Sequence, residues 1–404
     1  QQKAAPSHRR RGHDTRPARG LRGHMRLKSF RRFFFDPATL DEAHTCNVLD
    51  GYRFRPIDPA GEEDRAVGVC QVDGPAYGGV LAVKIAEYLC FGVRTDVLRI
   101  PGGTLRHYVD EECARVMNEQ KVDNLNRYQR AEIKERVKAQ LRKSVPPAIS
   151  HSLVVLDTGS GVAYVGATSP LAVEELGELL EKSTNARFIP ESCYSRAVRA
   201  LGGDDDRVFG LDLLDLGRAL AGDFVANDQV LTGADYIDRM SRASHLGAAF
   251  MLWLWWRSDV QGGAFDAGGE LGAFELWFDD KLVMGSPSSA QTDTFSGGHP
   301  VSSVEARTAL RLGKMPSQAK LRIVRASQEW SLTLRASDLA VDALKVPAVL
   351  AREGDEELCE AMLLTEQAET MLDGLYAAFL RDRMGAGWPG DVTMLLDWIR
   401  AENA

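Results

Sequence analysis

No apolar run in this 404-residue chain approaches the ~20 residues that a membrane-spanning helix needs; the longest, about Ala248 to Trp256, is far shorter. A soluble protein with no membrane partner is the reading. Cysteine is sparse and scattered: Cys46, Cys70, Cys90, Cys113, Cys193 and Cys359 include no Cys-x-x-Cys pair. That spacing argues against structural zinc and for reduced thiols in a cytoplasmic protein. There is no Gly-rich phosphate loop with its Lys, so ATP hydrolysis is unsupported. The histidines form neither a His-x-x-x-His pair nor a Ser/His/Asp set. No catalytic residue, metal or cofactor is therefore assigned.

What the chain does have is 44% apolar and 26% charged residues, the balance of an ordinary globular protein, and a length that suits two or three units. The first 24 residues carry seven Lys or Arg against one Asp and no apolar stretch. They read as a disordered basic leader (1–24), with Met25 the natural start. Taking the leader's net +6 from the formal −8 leaves −14, so any nucleic-acid surface must be a local patch on an acidic body. The expected organisation is a region 25–200, a linker 201–210 containing Gly-Gly-Asp-Asp-Asp, and a C-terminal α+β region 211–404.

Strands are expected at 67–70 and 87–94, followed by a helix from about Gly103 to Ser144, which Thr104 can cap and Pro146-Pro147 stops. A hairpin over 152–165, a helix over 169–181 and a strand at 186–190 follow, which together suggest an α+β unit of small antiparallel sheets and helices. The C-terminal region reads as a helix over 235–256 and strands at 273–278, 281–284, 320–324 and 330–334. A mobile loop over 286–303 and a long helix over 353–384 complete it.

Within the long helix, Arg130, Lys134, Lys138 and Arg142 recur every four residues and form one stripe, while Ile133, Val137, Leu141 and Val145 form an apolar stripe beside it. Between Lys121 and Lys143 there are eight basic residues against three acidic ones. This pattern is either a rail for phosphates along a DNA groove or a solvated face whose bases pair with Glu132 and Glu135.

Three further strings invite chemistry. Asp157-Thr-Gly-Ser matches the aspartic-protease signature, but such enzymes need a second carboxylate within ~3 Å, no second Asp-Thr-Gly occurs, and an Asp/Gly turn is the simpler reading. Glu275, Asp279 and Lys281 match the acid-x-lysine pattern of Mg²⁺-dependent nucleases, though Asp280-Lys281 also fits a turn between two strands. Leu252-Trp-Leu-Trp-Trp256 closes an amphipathic helix and reads as core.

Taken in order, Tyr52-Arg-Phe-Arg-Pro56, Phe91-Gly-Val-Arg94, Leu98-Arg-Ile-Pro101, the basic helix ending at Pro146, Leu156-Asp157 with its hairpin, Glu178-Leu-Leu-Glu-Lys182 and Phe188-Ile-Pro190 resemble the bacterial recombination-associated RdgC family. The likeness covers about Met25 to Ala200, and the C-terminal half looks like the longer members. The resemblance implies a homodimer closed into a ring around double-stranded DNA, associated with the nucleoid in the cytoplasm. Such a ring binds without sequence preference and restrains recombinase-driven strand exchange. It also implies DNA-binding roles for Arg94, Lys121, Arg127, Arg130, Lys134, Lys138, Arg142 and Lys143, and a dimer contact at Ile149. Pro147 stands where a basic residue can follow the first proline in the family. A metal-dependent DNA exonuclease using Glu275, Asp279 and Lys281 is the alternative function, since the family sometimes carries that label.

Overall fold

A computed structural model of the chain describes residues 26–72, 81–209, 211, 220, 236–266, 268, 271–285, 291–351 and 354–401. The basic leader, Met25 and residue 210 of the expected linker lie outside these residues.

The fold is α+β, with two antiparallel sheets and ten α-helices among the described residues. The first sheet contains β1 (Arg31–Phe34), β2 (Arg65–Cys70), β3 (Ala82–Ile85), β4 (Tyr88–Val97), β5 (Ala148–Asp157), β6 (Val162–Val165) and β7 (Ile189–Pro190), ordered β2-β4-β5-β6-β1-β7 with β3 also on β4. In the second sheet, β8 (Ala264–Asp266), β9 (Ala273–Gly285), β10 (Thr292–Ser296), β11 (Met315–Arg325), β12 (Gln328–Arg335) and β13 (Val341–Lys345) follow the order β10-β9-β11-β12-β13, with β8 also on β9. The helices are α1 (Glu42–Leu49), α2 (Gly102–Gln120), α3 (Arg127–Ser144), α4 (Pro170–Thr184), α5 (Cys193–Ala200), α6 (Asp205–Phe209), α7 (Tyr236–Val260), α8 (Val304–Arg311), α9 (Gly354–Met384) and α10 (Trp388–Arg400).

β5 explains how the first sheet is covered. Its run Leu153–Asp157 is buried at every position, which requires apolar cover on both faces. Adjacent residues of β1 point to opposite faces. Phe33 packs against Gly177 of α4, whereas Arg32 reaches Glu369 and Asp373 of α9, so α4 and α9 lie on opposite sides. The two sheets meet edge to edge where Phe30 and Val341 exchange backbone hydrogen bonds of 2.8 and 3.0 Å, extended by Leu344 N–H donating to the Lys28 carbonyl at 2.6 Å. α9 also reaches the second sheet, since Trp330 donates its indole N–H to the Leu364 carbonyl at 2.9 Å. One hydrophobic cluster runs through both regions. In the expected linker, residues 205–209 are helical and Val208 is buried in that same cluster.

Several sequence expectations are corrected. The helix of Gly103 to Ser144 is two helices, α2 and α3. The strands expected at 273–278 and 281–284 are one strand, β9, and the irregularity sits between Phe278 and Leu282, where Ala319 and Leu321 on β11 face four residues' worth of β9. Asp280-Lys281 is therefore a bulge, not a turn, because β11 continues alongside and keeps the chain extended. Of the loop expected at 286–303, residues 292–296 form β10 and 286–290 lie outside the described residues. The Trp run is core: Trp253, Trp255 and Trp256 are 3%, 1% and 3% exposed. Asp157 makes the turn from β5 to β6, accepting from the backbone N–H groups of Gly159 and Ser160 at 2.9 and 3.0 Å and from the Ser160 hydroxyl. Gly161, at φ 73°, closes that turn where a Cβ would lie 2.4 Å from the Phe35 carbonyl oxygen.

Charge, as well as apolar packing, fastens α9 to the first sheet. Arg32 donates to Glu191 at 2.6 and 2.9 Å and to Asp373 at 2.8 and 3.1 Å, and lies 3.0 Å from Glu369. Arg196 of α5 pairs with Asp373 and approaches Glu191 at 3.3 Å. Burial alone would lower the pKa of Arg32, but Glu191 and Glu369 outweigh it and hold it above the usual value. The two buried carboxylates shift in opposite directions. Burial works against ionising Glu191, yet Arg32, Arg196 and Arg31 surround it and its pKa falls; Glu369, with fewer close cations and Glu191 nearby, is left with a raised pKa. Removing Arg32 leaves buried carboxylates without their cation, so Arg32→Ala should cost about 3–5 kcal/mol. Urea denaturation measures this, and a loss under about 1 kcal/mol would contradict the arrangement described.

Candidate nucleic-acid interface

The chain breaks between α2 and α3 for local reasons. Lys121 ends α2 in the left-handed region at φ 54°, and Val122-Asp-Asn-Leu-Asn126 has little helix propensity. Asn126 then starts α3 with a capping box: its side chain accepts from the Gln129 backbone N–H at 2.9 Å, and its own N–H donates to the Gln129 side chain at 3.0 Å. α2 and α3 fold back on each other over their own small core. Cys113, Leu125, Ile133 and Val137 are 4–7% exposed, flanked by the partly buried Leu105, Val109, Val116, Met117 and Leu141. Leu125 caps that core at the tip of the hairpin.

This seam fixes which residues of α3 face water. At about 100° per residue, Arg127, Arg130, Lys134 and Lys138 fall within about 80° of one another, and Glu132 and Glu135 lie about 100° or more from the centre of that row. Arg127, Arg130 and Lys134 are exposed and Lys138 is half-buried. None of the four makes an ion pair among the described residues, and neither do Lys121 and Lys143, both exposed. The pairing with Glu132 and Glu135 that a solvated face would predict is absent from these residues. The acids that are neutralised belong to the other helix, where Glu112 takes Arg115 at 2.7 Å and Arg136 at 2.6 Å, and Glu119 takes Arg115. The Glu112 carboxyl is accordingly held down to about 2, chiefly by the hydrogen bond from Arg115.

Two of the expected DNA contacts have other work. Arg142 is 7% exposed, pairs with Asp64 and donates to the Glu63 carbonyl at 2.8 Å. It pins the base of the hairpin to the chain entering β2 and leaves the phosphate row, because the third step of four residues from Arg130 carries it around the helix to Glu63 and Asp64. Arg94 makes two 2.7 Å bonds to Asp96, which is 1% exposed, and its guanidinium lies 4.4 Å from the Phe54 ring centroid. The hydrogen bond to Asp96 raises its pKa above the usual value. Ile149, the expected dimer contact, is 54% exposed. It pairs with Asp96 of β4, while β6 meets β5 only from Val154 onward, so around Ile149 the other edge of β5 has no strand beside it among the described residues. Arg99 and Arg106, not among the bases expected to contact DNA, are both exposed at the base of the hairpin and make no ion pair among the described residues. Their signal was available, as the bases that flank Pro101 on either side, two residues before it and five after.

The acid-x-lysine string is arranged differently from a metal-binding core. Lys320 of β11 sits 2.9 Å from Asp279 and 2.8 Å from Asp280, and the Trp277 indole donates to Glu275 at 3.4 Å. Among the described residues no group of three or more His, Cys, Asp or Glu is placed to hold a metal ion, and no helix is long and apolar enough to cross a membrane. The class defined by fold and surface is thus an α+β protein with an exposed basic helical hairpin. Comparison with protein-family models and with curated proteins returns no match to this chain.

A direct check on the division of labour is to compare Arg142→Ala with Lys134→Ala. Loss of Arg142 leaves the Glu63 carbonyl and Asp64 without their donor and should lower stability by about 1–3 kcal/mol; Lys134→Ala should stay within about 0.5 kcal/mol. Equal urea midpoints for the two variants would place Arg142 in the solvated row after all.

Proposed function

We propose that the protein binds double-stranded DNA without reading its sequence, with α3 lying along the phosphates. The observation that carries this is the row Arg127, Arg130, Lys134 and Lys138, turned to solvent by the Ile133–Val137 seam and without an ion pair among the described residues. From Arg127 to Lys138 the row covers about 16 Å at 1.5 Å per residue, long enough for several phosphates. Cations on long side chains position a protein on the backbone, while base edges carry sequence information. The acidic balance of the chain supports the same reading, since a duplex is repelled from most of the surface and held at the patch.

The recombination role rests on the resemblance to the RdgC family. In this proposal a homodimer closes into a ring around the duplex, in the nucleoid, and hinders a recombinase from driving strand exchange. The exposed Ile149, on a strand edge with no neighbouring strand among the described residues, supports a contact between copies there. Lys121 and Lys143 extend the contact with phosphates at the two ends of α3.

Six phosphates neutralised per protomer, by the row of four together with Lys121 and Lys143, give a slope of about −5.4 in log K against log salt, and about twice that if both copies of a ring engage. Fluorescence anisotropy with two duplexes of unrelated sequence should return equal affinities and that slope. Lys134→Glu with Lys138→Glu should weaken binding to both duplexes alike, by about tenfold or more. A flat salt response, or a variant that loses only one of the two sequences, would contradict the proposal.

A further inference from the structure

Away from the hairpin, a cavity of about 560 Å³ opens between β1, the β5–β6 turn, α5 and α9. Its size falls within the ~300–1,000 Å³ usual for small-molecule sites. Phe34, Tyr164 and Tyr376 give it aromatic walls. α9 contributes Glu366, Glu369, Thr370 and Asp373, whose spacing puts them on one helix face, and Asp157 faces them from the end of β5. The inner acids are matched: Glu369 and Asp373 answer Arg32 and Arg196.

Two charges in this cavity are not. Glu366 accepts a single hydrogen bond, from the Tyr88 hydroxyl at 2.9 Å, and has no cation partner among the described residues. Burial pushes its carboxyl up to about 7, with Asp157 and Glu87 adding repulsion against the lowering effect of the Tyr88 bond. Arg199, on α5, lays its guanidinium 4.2 Å from the Phe34 ring centroid and has no carboxylate partner among the described residues. Burial, then Arg32, lowers its pKa, and Glu191 works the other way. An acid and a base that line one cavity yet do not pair with each other leave one site for a cation and one for an anion.

We propose that this cavity binds a small zwitterion of the amino-acid class, its ammonium group held at Glu366 and its carboxylate at Arg199. Aromatic faces favour a desolvated ammonium, and a guanidinium is the natural partner of a carboxylate. The proposal is independent of DNA binding, because none of these residues belongs to α2 or α3.

Calorimetry on the full chain with ω-amino acids from glycine to 6-aminohexanoate tests it, with the amine and the carboxylic acid of matching chain length as controls. At least one member should bind about tenfold or more tighter than both of its controls. Glu366→Gln and Arg199→Gln should each weaken that binding by about tenfold while the unliganded melting temperature stays within about 2 °C. Lowering the pH from about 8 to about 6 should weaken binding as Glu366 takes up a proton; Tyr88, Glu87, Asp157, Glu369, Asp373, Arg32, Arg196 and Arg199 are the other titratable or charged groups around it, and because the Glu369 carboxyl is also raised, the same pH series on Glu366→Gln should lose the dependence. The proposal is overturned if no member of the series binds, if an amine control binds as tightly as its zwitterion, or if either substitution leaves affinity unchanged.

Discussion

Rotation of α3 about its own axis is set by a short apolar seam, and the surface chemistry of the hairpin follows from that rotation. Ile133 and Val137, each 4% exposed, are closed over by Cys113 and Leu125. Turning the helix by one residue would bury a base and expose an aliphatic side chain, both unfavourable. The seam therefore sets the outward facing of Arg127, Arg130 and Lys134 and the partial exposure of Lys138. Because the hairpin has its own core, separate from the main cluster, its basic face is not compromised by the needs of the sheets behind it.

The join between hairpin and sheet draws on the same residue types for the opposite purpose. Arg142 and Arg94 are held by Asp64, Glu63 and Asp96, so their charge is spent inside the protein. An arginine paired with a carboxylate adds little field outside, whereas bases without such a pair keep their charge available to a ligand. Further away, Arg32 and Arg196 gather Glu191, Glu369 and Asp373, and α9 is thereby tied to the first sheet as well as to Trp330 of the second. The acidic character of the chain is partly absorbed by these clusters, and five bases without an ion pair among the described residues, Arg127, Arg130, Lys134, Lys138 and Lys143, lie on α3.

Much of this was legible in the sequence, for physical reasons that differ by element. The buried strand β5, the capped helix α4 and the long α9 announced themselves through apolar runs and helical periodicity. The basic row was visible because a spacing of four persists through Lys138. The break at Lys121 was not, since neither Pro nor Gly marks it; the Asn126-x-x-Gln129 capping box was the available signal. Nor could periodicity show that the next step, to Arg142, meets Asp64, a contact that depends on a strand far away in sequence. β9 was divided because Asp279-Asp280-Lys281 has the composition of a turn, while its pairing with β11 holds it extended. β1, two short helices and β13 carried no periodic signal at all, being four to eight residues long and fixed by tertiary contacts.

The central claim is that α3 presents its free bases to phosphates. Lysine acetylation footprinting, read by mass spectrometry with and without a saturating duplex of arbitrary sequence, addresses it residue by residue. The account predicts several-fold protection of Lys134 and Lys138, with lesser protection of Lys121 and Lys143 at the ends, and unchanged labelling of Lys84, Lys281 and Lys345 on the sheets. Saturated binding that leaves Lys134 and Lys138 as reactive as in the free protein would contradict it.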